Sequence, residues 1–349
     1  MGTPANMREI LIGLGKCHQA DIATPNAAAG MWRLNKLNAS FIPPKLTTED
    51  DAAEYGKGHE FAEQVFKTSW DVQGQLEKYN SAEFAAWVMS YGLGKSVKTG
   101  TLPNYVYTCT PLDPVTDGIE LPYFTVLEQM RPGAGAVLDR AMVGCAVEGW
   151  TWTVGSGPGR ANSKLVADIV GSGKYVQPSV IVMPGKTDEK LLPSASLEAT
   201  ILTVDYVTAK DIISLEATWK NNIRLDSGFF PGSGFQTALT PSSGQVRGRL
   251  EFGDRAATLK FTARFKSDST ELTKMLALTE GTAVIRQTFD TNNSLEATWQ
   301  RCIFSAADVG ETDGLVSVEV TCTPMWHATN KLLTVVAKCN VDEIGEAES

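Results

Sequence analysis

Apolar and polar residues alternate along most of this chain, in short runs that end at Gly, Pro, Asp or Asn. Trp70, Val72, Gly74 and Leu76 share one side of such a run; Asp71, Gln73, Gln75 and Glu77 share the other. Val246, Gly248, Leu250 and Phe252 alternate with Gln245, Arg247, Arg249 and Glu251. Leu165, Ala167 and Ile169 do the same in KLVADIVG, as do Val316, Val318, Val320 and Cys322 in LVSVEVTC. A period of two belongs to strands with one face on a core and one in water, as in antiparallel sheets. Many short strands with regular turn signals predict sandwiches or barrels.

Two stretches switch to helical spacing. Phe84, Trp87, Val88 and Tyr91 fall at i, i+3, i+4 and i+7, and Leu272, Met275, Leu276 and Thr279 repeat them at an offset of 188, from 84 to 272. Each follows an alternating strand and a cap-like pair, Asn80 before Glu83 and Asp268 before Glu271. Such pairs offer an acceptor to the free N–H groups of the first helical turn. A strand, cap and helix repeated at one offset predict a module used twice. The expected fold is mainly β (α+β), with two tandem related β-sandwich modules, each flanked by a short helix. Residues 1–190 form the first module, with an N-terminal arm and a long insertion loop; residues 191–349 form the second, with a C-terminal tail. The boundary lies in the polar, proline-punctuated PGKTDEKLLPSAS. The word SLEAT, at 196–200, 214–218 and 294–298, fits no single period and reads as shared strand wording.

Composition narrows the function. The 349 residues are 43% hydrophobic and 20% charged, an ordinary globular balance with room for about two domains. A net charge of −9 argues against a broad grip on phosphate backbones. Six scattered cysteines without a C-x-x-C pair read as reduced core thiols. The N-terminus has no apolar signal region, Asn6 departs from the myristoylation pattern, and no apolar run approaches the ~20 residues of a membrane span. A soluble, non-exported chain without membrane insertion is expected.

Catalytic patterns are nearly absent. GLGKS at 92–96 ends like a phosphate-binding loop, but Met89 stands where that motif needs Gly and a helix precedes it. PGKT at 184–187 has Val180 in the same place, and GSGPGR at 155–160 reads as a hairpin turn. His18, His59 and His327 lack metal-ligand spacing, and no G-x-S-x-G occurs. No enzyme, cofactor or metal is expected.

The strand faces are more informative. Asp71, Gln73, Gln75 and Glu77 form an acidic face, while Lys260, Thr262, Arg264 and Lys266 form a basic one on the matching strand. Opposite charges on equivalent elements could pair across an inter-module interface, with Lys260, Arg264 and Lys266 as its candidates. Trp150, Trp152, Trp219 and Trp299 are assigned to core packing.

The chain resembles the tail tube proteins of long, flexible-tailed bacteriophages. The similarity lies in WDVQGQLEKYNSAEFAAWVMSYGLG, LPYFTVLEQM with VGCAVEGWTWTV, LVADIVGSGKY, GRLEFGDRAATLKFTARFKSDSTELTKMLALTEGTAVI and HATNKLLTVVAKCNV, covering most of residues 60–340. It implies a structural virion protein, assembled in the host cytoplasm into stacked rings whose sheets join in a shared inner β-barrel. Three two-module chains per ring are expected, with six chains as the alternative. Implied partners are the tape measure protein in the lumen, tail terminator and distal tail proteins, and genomic DNA passing to the host without sequence-specific binding. Asp71, Gln73, Gln75 and Glu77 are the candidate lumen lining, since an acidic and neutral polar wall lets DNA slide. The loop NYVYTCTPLDPVTDGIELPYF and the arm 19–60 are candidates for ring-to-ring contact. The alternatives are a carbohydrate-binding or hydrolytic β-sandwich, or another ring-forming virion component such as a tail terminator or capsid decoration protein.

Overall fold

The computed structural model describes residues 9–26, 31–34, 44–51, 61–62, 64–131, 138–156, 161–176, 189–225, 247–312, 314–327 and 332–345. PGKT at 184–187 with Val180, most of GSGPGR, His59, Gln245, Val246 and parts of the arm 19–60 lie outside them. The protein is mainly β, as its alternation predicts. The first half contains β1 (Glu9–Gly15), β2 (Met31–Leu34), β3 (Pro44–Asp50), β4 (Val65–Tyr79), helix α1 (Ala82–Leu93), β5 (Gly94–Thr101), β6 (Asn104–Pro111), β7 (Phe124–Arg131), β8 (Leu138–Gly155) and β9 (Lys164–Val176). The second contains β10 (Glu198–Ile201), β11 (Val204–Asp205), β12 (Ile212–Lys220), β13 (Ala256–Arg264), helix α2 (Glu271–Leu276), β14 (Gly281–Asp290), β15 (Asn293–Thr312), β16 (Leu315–Pro324) and β17 (Thr334–Cys339).

All the strands belong to one antiparallel network, and its pairings come in two matching sets. In the first half β1 pairs with β2 and β7, β3 with β4, β4 with β9, and β8 with β7 and β9. In the second half β10 pairs with β11 and β14, β12 with β13, β13 with β16, and β15 with β14 and β16. The hairpin β5–β6 follows α1 but has no counterpart between α2 and β14. Two seams join the halves. One is β8–β12; the other is β6–β17, with β17 also paired to β15.

The main core cluster draws on both halves. Trp150, Trp152, Trp219 and Trp299 are all buried in it, as expected from their strands. Trp150 stands opposite Trp219 across the β8–β12 seam. Asn221, also buried, fastens this point: it accepts from Trp219 Nε1 at 2.9 Å and donates to Gly92 O and Val147 O at 2.7 and 3.0 Å. The three SLEAT words all run into strands; in β12 and β15 their Leu and Ala are buried (Leu215, Ala217, Leu295, Ala297).

The repeat needs two corrections. First, the caps shift. The N-cap of α1 is Ser81, whose Oγ accepts from the Phe84 N–H at 3.1 Å, while the Asn80 backbone is held by Ser163 O and the Leu192 N–H. In α2 the cap position is Thr270, which makes no side-chain cap bond, and Asp268 meets Lys210 at 2.8 Å instead. Second, the strands match at an odd offset. The buried positions are Val72 and Leu76 in β4 but Leu259, Phe261 and Ala263 in β13, so an offset of 188 would set Lys260 against Val72. A slip of one residue turns every strand side chain to the other face, so burial fixes the parity that wording alone left wrong.

The helices also differ. All twelve residues of α1 are buried, whereas α2 buries Glu271 alone. Of the expected alternating run at 245–252, the described residues 247–252 form no regular strand. Arg247 donates its N–H to Ser172 O, and Leu250 O and the Phe252 N–H bond the 119–121 segment. It crosses strand ends, so Arg247, Leu250 and Phe252 are all buried despite the alternation.

The segment at the expected module boundary is fastened rather than loose where it is described. Leu192 donates to Asn80 O, Ala82 donates to Lys190 O, and the Glu83 carboxylate accepts from the Lys190 N–H at 3.2 Å. Lys78 and Glu189 form a buried ion pair beside them.

His18 lies against Tyr91, with ring centroids 4.9 Å apart, and burial lowers its pKa to about 4. Because the folded pKa lies below the unfolded one, its contribution is present above pH 6.5 and is lost as pH falls from there towards 4. The loss is at most about 3 kcal/mol, discounted for the partial exposure of the ring. Denaturant titrations of wild type and His18→Gln across this window should show a flatter pH dependence in the variant. Parallel curves would mean that His18 is solvated.

Candidate functional site

The seam β8–β12 makes one continuous sheet in the order β3–β4–β9–β8–β12–β13–β16–β15. The cross-strand partners define a single polar face. One row runs Lys164, Thr153, Glu216, Lys260, Thr321; another runs Gln75, Asp168, Gly149, Lys220. A hollow lies over the seam. It measures about 740 Å³ and is lined by Thr153, Lys164, Glu216, Lys260, Thr262 and Glu319 among others, so both halves contribute to it. Alternation explains why: each strand turns its apolar side to the shared core and leaves its polar side outside.

The four acidic-face candidates lie on this side of β4 but are not equivalent. Gln73 and Gln75 are exposed, and Glu77 is half-exposed. Gln75 donates to Asp168 at 2.7 Å, and Glu77 pairs with Lys164 at 3.1 Å. Asp71 sits at a covered end. It accepts from the buried Arg247 at 2.6 Å, and Arg247 also donates to Gly171 O and Leu225 O. There Ala146, Val170, Ile223, Leu250 and Phe252 form a small second core over the sheet. The pattern of β4 shows which side faces outward but carries no sign of the later segment that closes over one end.

The basic candidates are on the same side of the same sheet. Lys260 and Arg264 are exposed on β13, and Lys266 lies just beyond it. Lys266 and Arg264 approach Asp211, at 3.1 and 4.0 Å, and Lys266 also donates to Ala209 O. Three strands separate β13 from β4, which is four spacings or about 19 Å. Within one chain, then, the acidic face of β4 and the basic face of β13 do not meet. Backbone ladders and the burial of Trp150 and Trp219, cross-strand partners at the seam, make the joint. A ladder satisfies every strand N–H and C=O it crosses, which exposed charges in water do not.

The sheet face is mixed rather than uniformly acidic. Asp71, Glu77, Asp168, Glu216, Asp308 and Glu319 share it with Lys164, Lys220, Lys260 and Arg264. Burial, followed by the nearby Asp168, pushes the Glu148 pKa up, with Lys220 opposing. Sequence reasoning missed Asp168, Glu148 and Glu216, although the alternation of KLVADIVG already put Asp168 opposite its apolar positions.

The remaining motifs hold no cradle. GLGKS spans the C-terminal end of α1 and the start of β5, and Lys95 is bound to Asp117 at 2.7 Å. A helix C-terminus presents carbonyls and negative potential, which repel phosphate. All six cysteines are buried, and burial pushes the thiols of Cys109, Cys145, Cys302, Cys322 and Cys339 up, away from the reactive thiolate. Among the described residues no cluster of three metal-ligating side chains occurs, and no helix is long and apolar enough to cross a membrane. Searched against known proteins, the chain matches no family model and no curated sequence.

Proposed function

We propose that this chain is a structural protein of the tail-tube type, which assembles into stacked rings around a conduit for DNA. Each half is one copy of a duplicated module. The observation that carries the reading is the β8–β12 seam: it splices the two halves into one sheet with a continuous polar face, as a segment of a barrel wall requires. The ends of this sheet support it further. Among the described residues β3 pairs only with β4, and residues 305–312 of β15 pair only with β16. Their counterparts β12 and β8 pair with each other. An edge left open invites another chain, and a heterologous contact that closes makes a ring. Three chains, supplying six modules, form that ring. Gln73, Gln75 and Glu77 line the lumen together with Asp168 and Glu216. The tape measure protein, terminator, distal tail proteins and passing DNA are the proposed neighbours in the virion.

Electron microscopy of the purified chain at high concentration tests this. Striated tubes with three chains per ring are expected; six chains per ring would overturn the stoichiometry alone. A chain that stays monomeric at every concentration would sink the proposal. Tubes carrying Gln75→Lys and Glu77→Lys should retain short duplex DNA and release it as salt rises, because each added lysine neutralises a phosphate. Wild-type tubes should not retain it, and if the lysine tubes do not either, β4 does not line the lumen.

A further inference from the structure

The two helices hold equivalent places in the matching sets of pairings, yet their surroundings differ. Helix α1 packs on β5, β6 and β8 of its own half and on β15 and β17 of the other, and every one of its residues is buried. It is therefore an inter-half element, covered where the second half closes against the first. Helix α2 packs on β15, and its outer side stays bare. Leu272 and Leu276, four positions apart and so on one helical face, are 50% and 73% exposed; Leu278 just beyond is 63% exposed. The two charged groups of α2 are turned elsewhere: Glu271 is buried and accepts from Tyr206 OH at 3.1 Å, and Lys274 donates to Leu202 O at 3.2 Å, which leaves Thr273 as the one polar side chain exposed beside the leucines.

A second bare apolar site lies at the far end of the hairpin β15–β16. Val309 and Val316 are more than half exposed, although their strand parity matches that of the buried Ala307, Val318 and Val320. They extend the core side of the sheet past the point where the core ends. In the first half, the corresponding part of β8 carries Trp150, Trp152 and Val154, all buried where the second half meets it.

We infer that the leucine face of α2 is a docking surface for a second copy of this chain, which covers it as the second half covers α1. The inference rests on the self-assembly in the function proposed above, and names its contact. The occupant is the first half of the next copy, approaching along the open edge of β15. The argument is one of continuity: the chain already contains one such joint, between β8 with α1 on one side and β12 on the other. The bare leucines and valines mark the same joint where one side is missing. Scattered exposed apolar residues are ordinary on a surface, but an i, i+4 leucine pair whose counterpart helix is fully covered is not scattered.

The test uses the full chain with Leu272→Asp and Leu276→Asp together, and Val97→Asp as a control at a 56% exposed site on β5. Sedimentation velocity and electron microscopy report assembly, and thermal unfolding reports the fold. The double variant should keep the wild-type unfolding temperature and raise the concentration needed for assembly at least tenfold, while the control assembles normally. A folded double variant that assembles like wild type overturns the inference and leaves the tube reading standing. Wild-type oligomers that never become tubes, but are lost in the variant, support the docking face and overturn the tube. Leu276→Cys carrying an environment-sensitive dye gives an independent measure should the aspartates disturb folding. Its emission should shift to the blue on assembly; unchanged emission in assembled material overturns the docking face.

Discussion

Replacing Trp87 with alanine should lower the unfolding free energy by about 3–5 kcal/mol, the range for deleting a large buried aromatic side chain. Trp87 is fully buried in α1, 4.7 Å from Phe124 edge-on and 5.0 Å from Tyr91 between ring centroids. Its Nε1 donates to Gly15 O at 2.9 Å, which ties the helix to the end of β1. The side chain therefore supports packing, a hydrogen bond and the register of a strand 72 positions away. Trp87→Phe should recover part of the loss, because it refills most of the volume but leaves Gly15 O without its indole donor. Urea unfolding followed by circular dichroism measures both. Because α1 packs on strands of both halves, wild type and variant should each unfold in one transition. Two separated transitions would mean that the halves are thermodynamically independent, and a Trp87→Ala cost under about 1 kcal/mol would remove α1 from the shared core.

The second large effect is expected at the buried pair of Lys78 and Glu189. The Lys78 ammonium also sits 5.4 Å from the centroid of the Phe84 ring. Glu83 is close by, and burial is the main cause pushing its pKa up, with Glu189 adding to the rise and Lys78 opposing it. Lys78→Ala removes the cation paired with Glu189 and should cost about 3–5 kcal/mol at neutral pH, the range for breaking a buried ion pair. The sign of its pH dependence follows. A carboxyl whose folded pKa lies above the unfolded one contributes stability below the unfolded value and loses it as pH rises through the folded one. Glu83 in Lys78→Ala, with its opposing cation gone, should therefore penalise folding more at pH 7 than at pH 4. Adding Glu83→Gln should flatten that slope. A loss that is equal at both pH values would place the damage in packing against Phe84 instead.

The sequence made the strand faces legible wherever one chain segment decides them. Period-two runs in β4, β9 and β16 name their buried sides, because a core on one side imposes that period whatever the partner strands are. The same runs left the joints hidden. Trp150 and Trp219 read as core residues, but nothing in either word shows that they face each other across the two halves; pairing between distant strands is set by the closed network. The helices were legible as helices and misread in detail. Ser81 rather than Asn80 caps α1, since a neighbouring acceptor one position away satisfies the same pattern, and the short α2 closes without a side-chain cap. Asp71 was legible as outward-facing, yet Arg247, 176 positions later, covers it. A charge read as free in the sequence is an anchor for a folded segment, so Asp71 is the poorest of the four candidates for a change meant to leave the fold intact.

The β6–β17 seam carries a consequence for the order in which this protein is made. Tyr107 donates its hydroxyl proton to Val341 O, a contact spanning 234 positions, and Ile344 is buried in the main core with Gly345 bonded to Lys16 O. Contacts of such span close late, after shorter ones have formed. A nascent chain therefore holds the edge of β6 that faces away from β5 without a partner until residues 334–345 have left the ribosome. Until then, neither half is finished. Synthesis thus sets the timing of folding: the first half stays incomplete until almost all of the described chain exists.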